Sequence, residues 1–197
     1  MAHGLRVGLL GGSFNPAHEG HIYASELALK QLQLDQVWWL VSPQNPLKES
    51  RGMAPFDARL AQAKALVRHP RIAVTGIEAA LGTRFTIDTI HALKQRFPHI
   101  RFVWLMGSDN LRQLPHWHDW QAIFAAMPVA VVARPGSALA ARTSKAATIF
   151  RERYVAPSRH FSVTSPPAWT MLDFKRSAKS ATALRAGGGL AKPPHLW

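Results

Sequence analysis

The 197-residue chain contains no cysteine, which excludes a disulfide framework, a thiolate nucleophile and any Cys-ligated metal. No run of about 18 apolar residues occurs, so no segment reads as a membrane span. The start, MAHGLRVGLLGG, has an apolar core too short for a secretory signal, and the expectation is a cytoplasmic protein without a membrane partner. Acids are scarce: 11 Asp+Glu face 24 Lys+Arg, a net charge of +13 that attracts anions, whether a nucleotide or a nucleic acid. Much of the excess lies late, in ARTSKAATIFRERY and DFKRSAKSATALRA, and residues 142 to 153 read as a solvated basic helix face. Repeats and low-complexity blocks are absent apart from the tail AGGGLAKPPHLW, which reads as flexible.

What is present suffices for one core. With 47% hydrophobic and 18% charged residues the composition is that of a soluble globular domain, and a chain of this length buries roughly 70% of its unfolded surface. One domain is expected over residues 1–186, with 187–197 as the tail. LRVGLL (5–10) reads as a buried strand feeding a tight turn at Gly11-Gly12. Asn15-Pro16 reads as a helix start, Asn as cap and Pro at the first helical position, with the helix running to about Leu34. The alternation then repeats: QVWWLVS as strand, PFDARLAQAKALVRH as helix, RIAVTG as strand, TIDTIHALKQRF as helix, IRFVWLMG as strand, DWQAIFAAM as helix and PVAVVA as strand. Strand and amphipathic helix in turn imply right-handed crossovers and a doubly wound α/β domain on a mainly parallel sheet. Trp38, Trp39 and Trp104 are expected in its core. Ligands in such folds sit at the carboxyl ends of the strands, so Gly11 to Pro16, Ser42 to Lys48, Gly107 to Asp109 and Arg134 are expected to converge on one crevice.

The stretch LLGGSFNPAHEGH (9–21) is the most informative. His18 and His21, three apart, share a helix face, the first turn offers unpaired backbone N–H groups and the positive end of the helix dipole, and Gly11 and Gly12 let a phosphate approach the backbone. A polyphosphate site is the reading. Two other readings stay open for the imidazoles: metal ligands, although no third ligand is obvious nearby, and plain hydrogen-bonded surface residues. Neither G-x-G-x-x-G nor G-x-x-x-x-G-K-S/T occurs, which excludes the dinucleotide fingerprint and the Walker loop.

GGSFNPAHEGH resembles the H-x-G-H signature of the nucleotidyltransferase superfamily, in the form G-G-S/T-F-D/N-P-x-H-x-G-H typical of bacterial nicotinate-mononucleotide adenylyltransferases. SPQNPLK, FTIDTI, GSDNLRQLPHWHDW and VVARPG agree in order and spacing, and SATALR resembles the family's late S-S-T-x-I/L-R. The chain departs from the pattern at Leu47, where the family often has His, at Phe85 for the usual Tyr, and at Ala181, which removes one hydroxyl donor. The resemblance implies a Rossmann-like nucleotidyltransferase fold and transfer of AMP from ATP to the 5′-phosphate of nicotinate mononucleotide, in NAD biosynthesis. It implies Mg²⁺ carried by ATP phosphates and water, with no dedicated protein metal site. It places ATP at Gly11, Gly12, Ser13, Phe14, His18, His21, Gly107 and Asp109. His18 and His21 serve as catalytic donors, their protonated form favoured by the nearby charge. Ser180, Thr182 and Arg185 hold the β and γ phosphates, and Asp109 accepts the adenosine ribose hydroxyls, its alternative being to cap the next short helix. The mononucleotide falls to Lys48, Thr86, Trp117 as stacking aromatic, and Arg134. A sister adenylyltransferase acting on pantetheine phosphate or on the nicotinamide mononucleotide stays open as an alternative. An RNA-binding protein on this fold is disfavoured, because no aromatics interleave with the bases.

Overall fold

Runs of Val, Ile, Leu and Trp form the strands of one sheet in the computed structural model, which describes residues 4–43, 52–133 and 137–173. The strands are β1 (Arg6–Gly12), β2 (Gln36–Val41), β3 (Ile72–Thr75), β4 (Arg101–Gly107), β5 (Val129–Val132) and β6 (Trp169–Leu172). They lie in the order β3-β2-β1-β4-β5-β6, and every neighbouring pair is parallel. Parallel neighbours need crossovers. Helices α1 (Glu19–Gln31) and α2 (Phe56–Leu66) supply two of them on one face, closing a core around Leu10, Trp39, Val103 and Leu105. On the other face α4 (Thr86–Arg96) and α6 (Trp120–Ala126) close a second core around Leu9, Trp104, Met106 and Val131. Strand alternation assigns the side chains: Phe102, Trp104 and Met106 enter one core, Val103 and Leu105 the other.

The chain reverses direction of winding between β1 and β4, where the two neighbouring crossovers leave on opposite faces. A crevice opens there at the carboxyl ends of the strands, and it positions the site. The short helices α3 (Ile77–Leu81) and α5 (Ser108–Gln113), with a 3-10 turn at Leu114–His116, follow β3 and β4 and form part of its wall.

Several sequence expectations are corrected. Gly11 and Gly12 are the last residues of β1, paired with Leu40 and Val41, not the turn. A Cβ on Gly11 would come within 2.7 Å of the Trp104 ring, so this glycine makes room for a core indole. Asn15-Pro16 does not start the helix. α1 begins at Glu19 with His18 as its N-cap, while the Asn15 amide spans to the far loop, donating to Gly52 O (3.2 Å) and accepting from Ala54 N–H (3.1 Å). The helix stops at Gln31 rather than Leu34, because Gln33 takes a left-handed φ of 52°. Strand β6 and helices α3 and α7 (Ala138–Arg142) were not anticipated, whereas α8 (Lys145–Ile149) falls within the stretch read as helical. The basic stretch 142–153 is two short helical pieces and a 3-10 turn rather than one helix face, but Arg142, Lys145, Arg151 and Arg153 are exposed as expected. Trp39 and Trp104 are buried, whereas Trp38 is only half-buried against the core. The tail lies outside the described residues.

Candidate active site

The crevice has a volume of about 820 Å³, the size of a cavity for a nucleotide-sized ligand. Gly11 to Pro16, His18, His21, Ser42, Gly107 and Asp109 all line it, as do Thr86 and Trp117. Lys48, Arg134, Ser180, Thr182 and Arg185, with the departures Leu47 and Ala181, lie outside the described residues.

The two histidines form a reciprocal capping box. Gly20 N–H donates to His18 Nδ1 (3.1 Å), and His18 N–H donates to His21 Nδ1 (3.2 Å). Each Nδ1 therefore acts as an acceptor, which leaves the ring proton on Nε2. The rings lie 3.9 Å apart at 37°. The cap thus holds both rings through Nδ1 and leaves Nε2 as the donor position of each. The same bonds satisfy two of the helix's orphan amides.

His21 is braced from behind. Phe14, buried at a left-handed φ of 46°, stacks on Trp39 (4.9 Å, 14°) and meets the His21 ring at 4.8 Å. Trp39 Nε1–H donates to Ser25 Oγ, and Ser25 O–H donates to His21 O, each at 2.8 Å. Backbone and ring are thus both tied to the core. Asp109 stands in the first turn of α5 and does not cap it, since Gly107 is the N-cap residue.

Trp117, which lines the same crevice, ends the 3-10 turn, its N–H donating to Leu114 O (2.9 Å). Phe85 precedes α4 and stacks on His118 (4.3 Å, 28°). Phe85 is the N-cap residue of α4 and makes no side-chain cap, so the first amides of that helix, from Thr86 on, point out of its N-terminal end without intrahelical partners.

Two residues that sequence reasoning passed over hold this frame. Arg59, 2% exposed, donates through Nη1 to Ser13 O (2.6 Å) and Ser42 O (2.8 Å), through Nη2 to Pro43 O (2.9 Å) and through Nε to Ala54 O (2.9 Å). It joins the loops after β1 and β2. Its signal in the sequence was a charge on the apolar face of α2, in register with Phe56, Leu60 and Ala63. Glu78 lines the crevice from α3, a lone acid in GIEAALG. Burial pushes its carboxyl up to about 7, against hydrogen bonds from Ser42 and Thr89 that favour the charged form.

Between pH 4.5, its ordinary value, and about 7, the folded chain keeps a proton on Glu78 that the unfolded chain has lost. Stability from this group is complete below that window and falls as pH rises through it. Glu78→Gln is therefore expected to gain on the parent protein as pH rises from 4.5 to 8, by on the order of 3 kcal/mol. Urea unfolding at a series of pH values reads this directly, and parallel curves for the two proteins would refute it.

A family model described as cytidylyltransferase-like matches residues 9–187. The chain is 56% identical over 188 residues, 94% of each chain, to a protein of Parvibaculum lavamentivorans named probable nicotinate-nucleotide adenylyltransferase. It is 54% identical to one of the same name from Cereibacter sphaeroides, over 92% of this chain and 97% of that one. In fold it is similar to Plasmodium falciparum nicotinic acid mononucleotide adenylyltransferase complexed with NaAD, with a TM-score of 0.67 at 14% identity over 92% of this chain and 83% of that one. A parallel sheet with its crevice at the β1/β4 reversal and a histidine pair on the first helix define a nucleotidyltransferase. The chain belongs to the cytidylyltransferase-like family and, within it, to the nicotinate-nucleotide adenylyltransferases.

Proposed function

We propose that the crevice transfers the adenylyl group of ATP to the 5′-phosphate of nicotinate mononucleotide, releasing pyrophosphate. The observation that carries this reading is the capping box, which fixes two Nε2–H donors side by side beside the strand ends. An oxygen of the acceptor phosphate forms a bond to the α-phosphorus of ATP. The bond from that phosphorus to the bridging oxygen breaks, and its electron pair leaves with pyrophosphate. The attacking oxygen is already anionic, so no side chain need act as base. Catalysis then consists of aligning two anions and stabilising the charge that gathers on the bridging and α-phosphate oxygens.

In this reading ATP lies over Gly11 to Phe14, with His18 and His21 on its phosphates and Asp109 at the ribose. Ser180, Thr182 and Arg185 are assigned to the β and γ phosphates. The mononucleotide lies across the crevice, its ring on Trp117, its ring carboxylate at the opening amides and hydroxyl of Thr86, and its phosphate near Lys48 and Arg134. Mg²⁺ enters as part of the ATP complex. Among the described residues the acids lining the crevice are Glu78 and Asp109, and Glu78 is engaged by Ser42 and Thr89, a donor set suited to a phosphate-held ion rather than a protein cage.

The test is purified protein with ATP, Mg²⁺ and nicotinate mononucleotide, followed by pyrophosphate release, run beside Trp117→Ala. Loss of one stacked ring is worth roughly 1–3 kcal/mol by analogy with base stacking. The variant is expected to raise the mononucleotide KM by about tenfold and to spare the ATP KM. A rise confined to the ATP KM would reverse the assignment of the two halves.

A further inference from the structure

We propose that Arg84 is a specificity-determining residue, the side chain by which this protein distinguishes a carboxylate on the acceptor's pyridine ring from a neutral amide. The inference rests on the placement of the acceptor along Thr86 and Trp117 given above. Arg84 lies two residues before α4 and lines the same crevice as Phe85, Thr86 and Trp117. Its guanidinium carbon stands 5.5 Å from the centre of the Phe85 ring, and that ring is itself stacked on His118. The cation thus rests on one ring of an aromatic pair whose other member, His118, follows Trp117 in the chain.

Among the described residues no hydrogen bond or ion pair engages Arg84; the side-chain ion pairs there are Arg6 with Asp35 and Arg142 with Asp173. Of the acids lining the crevice, Glu78 is engaged by Ser42 and Thr89 and Asp109 belongs to α5. Nicotinate and nicotinamide mononucleotides have the same shape and differ by one negative charge at the ring substituent. Discrimination between isosteres of different charge requires a group that responds to charge. A planar guanidinium matches a carboxylate fork and gains little from an amide. The opening amides of α4 donate to either substituent's oxygen and, at the positive end of the helix, already favour the anion; Arg84 adds a full charge to that bias.

The experiment measures KM and kcat for both mononucleotides, at saturating ATP, in the parent protein, Arg84→Gln and Arg84→Lys. Arg84→Gln is expected to raise the KM for nicotinate mononucleotide by about tenfold, the loss of one charged hydrogen bond, with kcat and the nicotinamide mononucleotide KM within about twofold. Arg84→Lys is expected to restore part of the preference. Added salt should weaken nicotinate mononucleotide binding more in the parent than in Arg84→Gln. An unchanged nicotinate mononucleotide KM, or an equal rise for both mononucleotides, overturns the role of Arg84 and leaves the acceptor placement intact. A rise in the ATP KM alone overturns the acceptor placement and the proposal with it.

Discussion

Replacing His21 by Ala is expected to lower kcat for pyrophosphate release by about 10²-fold or more while the acceptor KM moves far less, because a preorganised donor contributes most where charge develops in the transition state. The geometry behind this is specific. His21 Nδ1 accepts the His18 amide, and its ring is set by Phe14 and Trp39, so its Nε2–H is fixed before ATP arrives. Removing the ring also removes a cap, which costs about 1 kcal/mol of stability. That second effect has to be separated from the first. His21→Glu does so, since a glutamate at the third helical position can accept the same amide but turns a carboxylate toward phosphate. The expected pair of results is a melting temperature restored in His21→Glu and an activity that is not. Recovery of turnover in His21→Glu would reduce His21 to a helix cap. A loss carried wholly by ground-state ATP binding would equally remove it from the transition state.

The strands were legible because each is a run of Val, Ile, Leu or Trp ending at Gly, Ser or Pro, and a parallel strand buried on both faces needs no partner-specific signal. β6 was missed for a physical reason. It is four residues long, follows a Pro-rich turn, and exists because the edge of β5 pairs with it. The motif residues were legible because Gly11, His18 and His21 sit within eleven consecutive positions, where spacing reports geometry directly. The helix start was misplaced by the same local reasoning. Asn15 and Pro16 have the chemistry of a helix start, but tertiary bonds from Asn15 to Gly52 and Ala54 hold the turn, and the two histidines cap the helix instead. Arg59 and Glu78 were illegible as site residues because their partners come from other crossovers. Arg59 reaches Ser13 across 46 residues and Ser42 across 17, a relation that exists only once β1 and β2 are adjacent.

Arg59 is also where the largest loss of stability is expected. Its guanidinium is buried among the carbonyls of Ser13, Ser42, Pro43 and Ala54, and burial lowers its pKa without reversing its charge. Four carbonyls from two strand-end loops converge on one planar donor, so the residue ties the two loops together at the wall of the crevice. Arg59→Met fills much of the same volume but leaves those oxygens without their donor, a change expected to cost on the order of 3 kcal/mol and to depress kcat/KM, because the Ser13 loop carries the chain from β1 to the histidine pair. Arg59→Lys keeps the charge but offers donors from one point, too compact to span Ser13 and Ala54 together, and is expected to recover little. Thermal unfolding with and without ATP and Mg²⁺ distinguishes the two consequences: ligand restores stability only if the loops still assemble. An Arg59→Met protein that melts with the parent and turns over at the parent's rate would show that the loops are held by something other than this guanidinium.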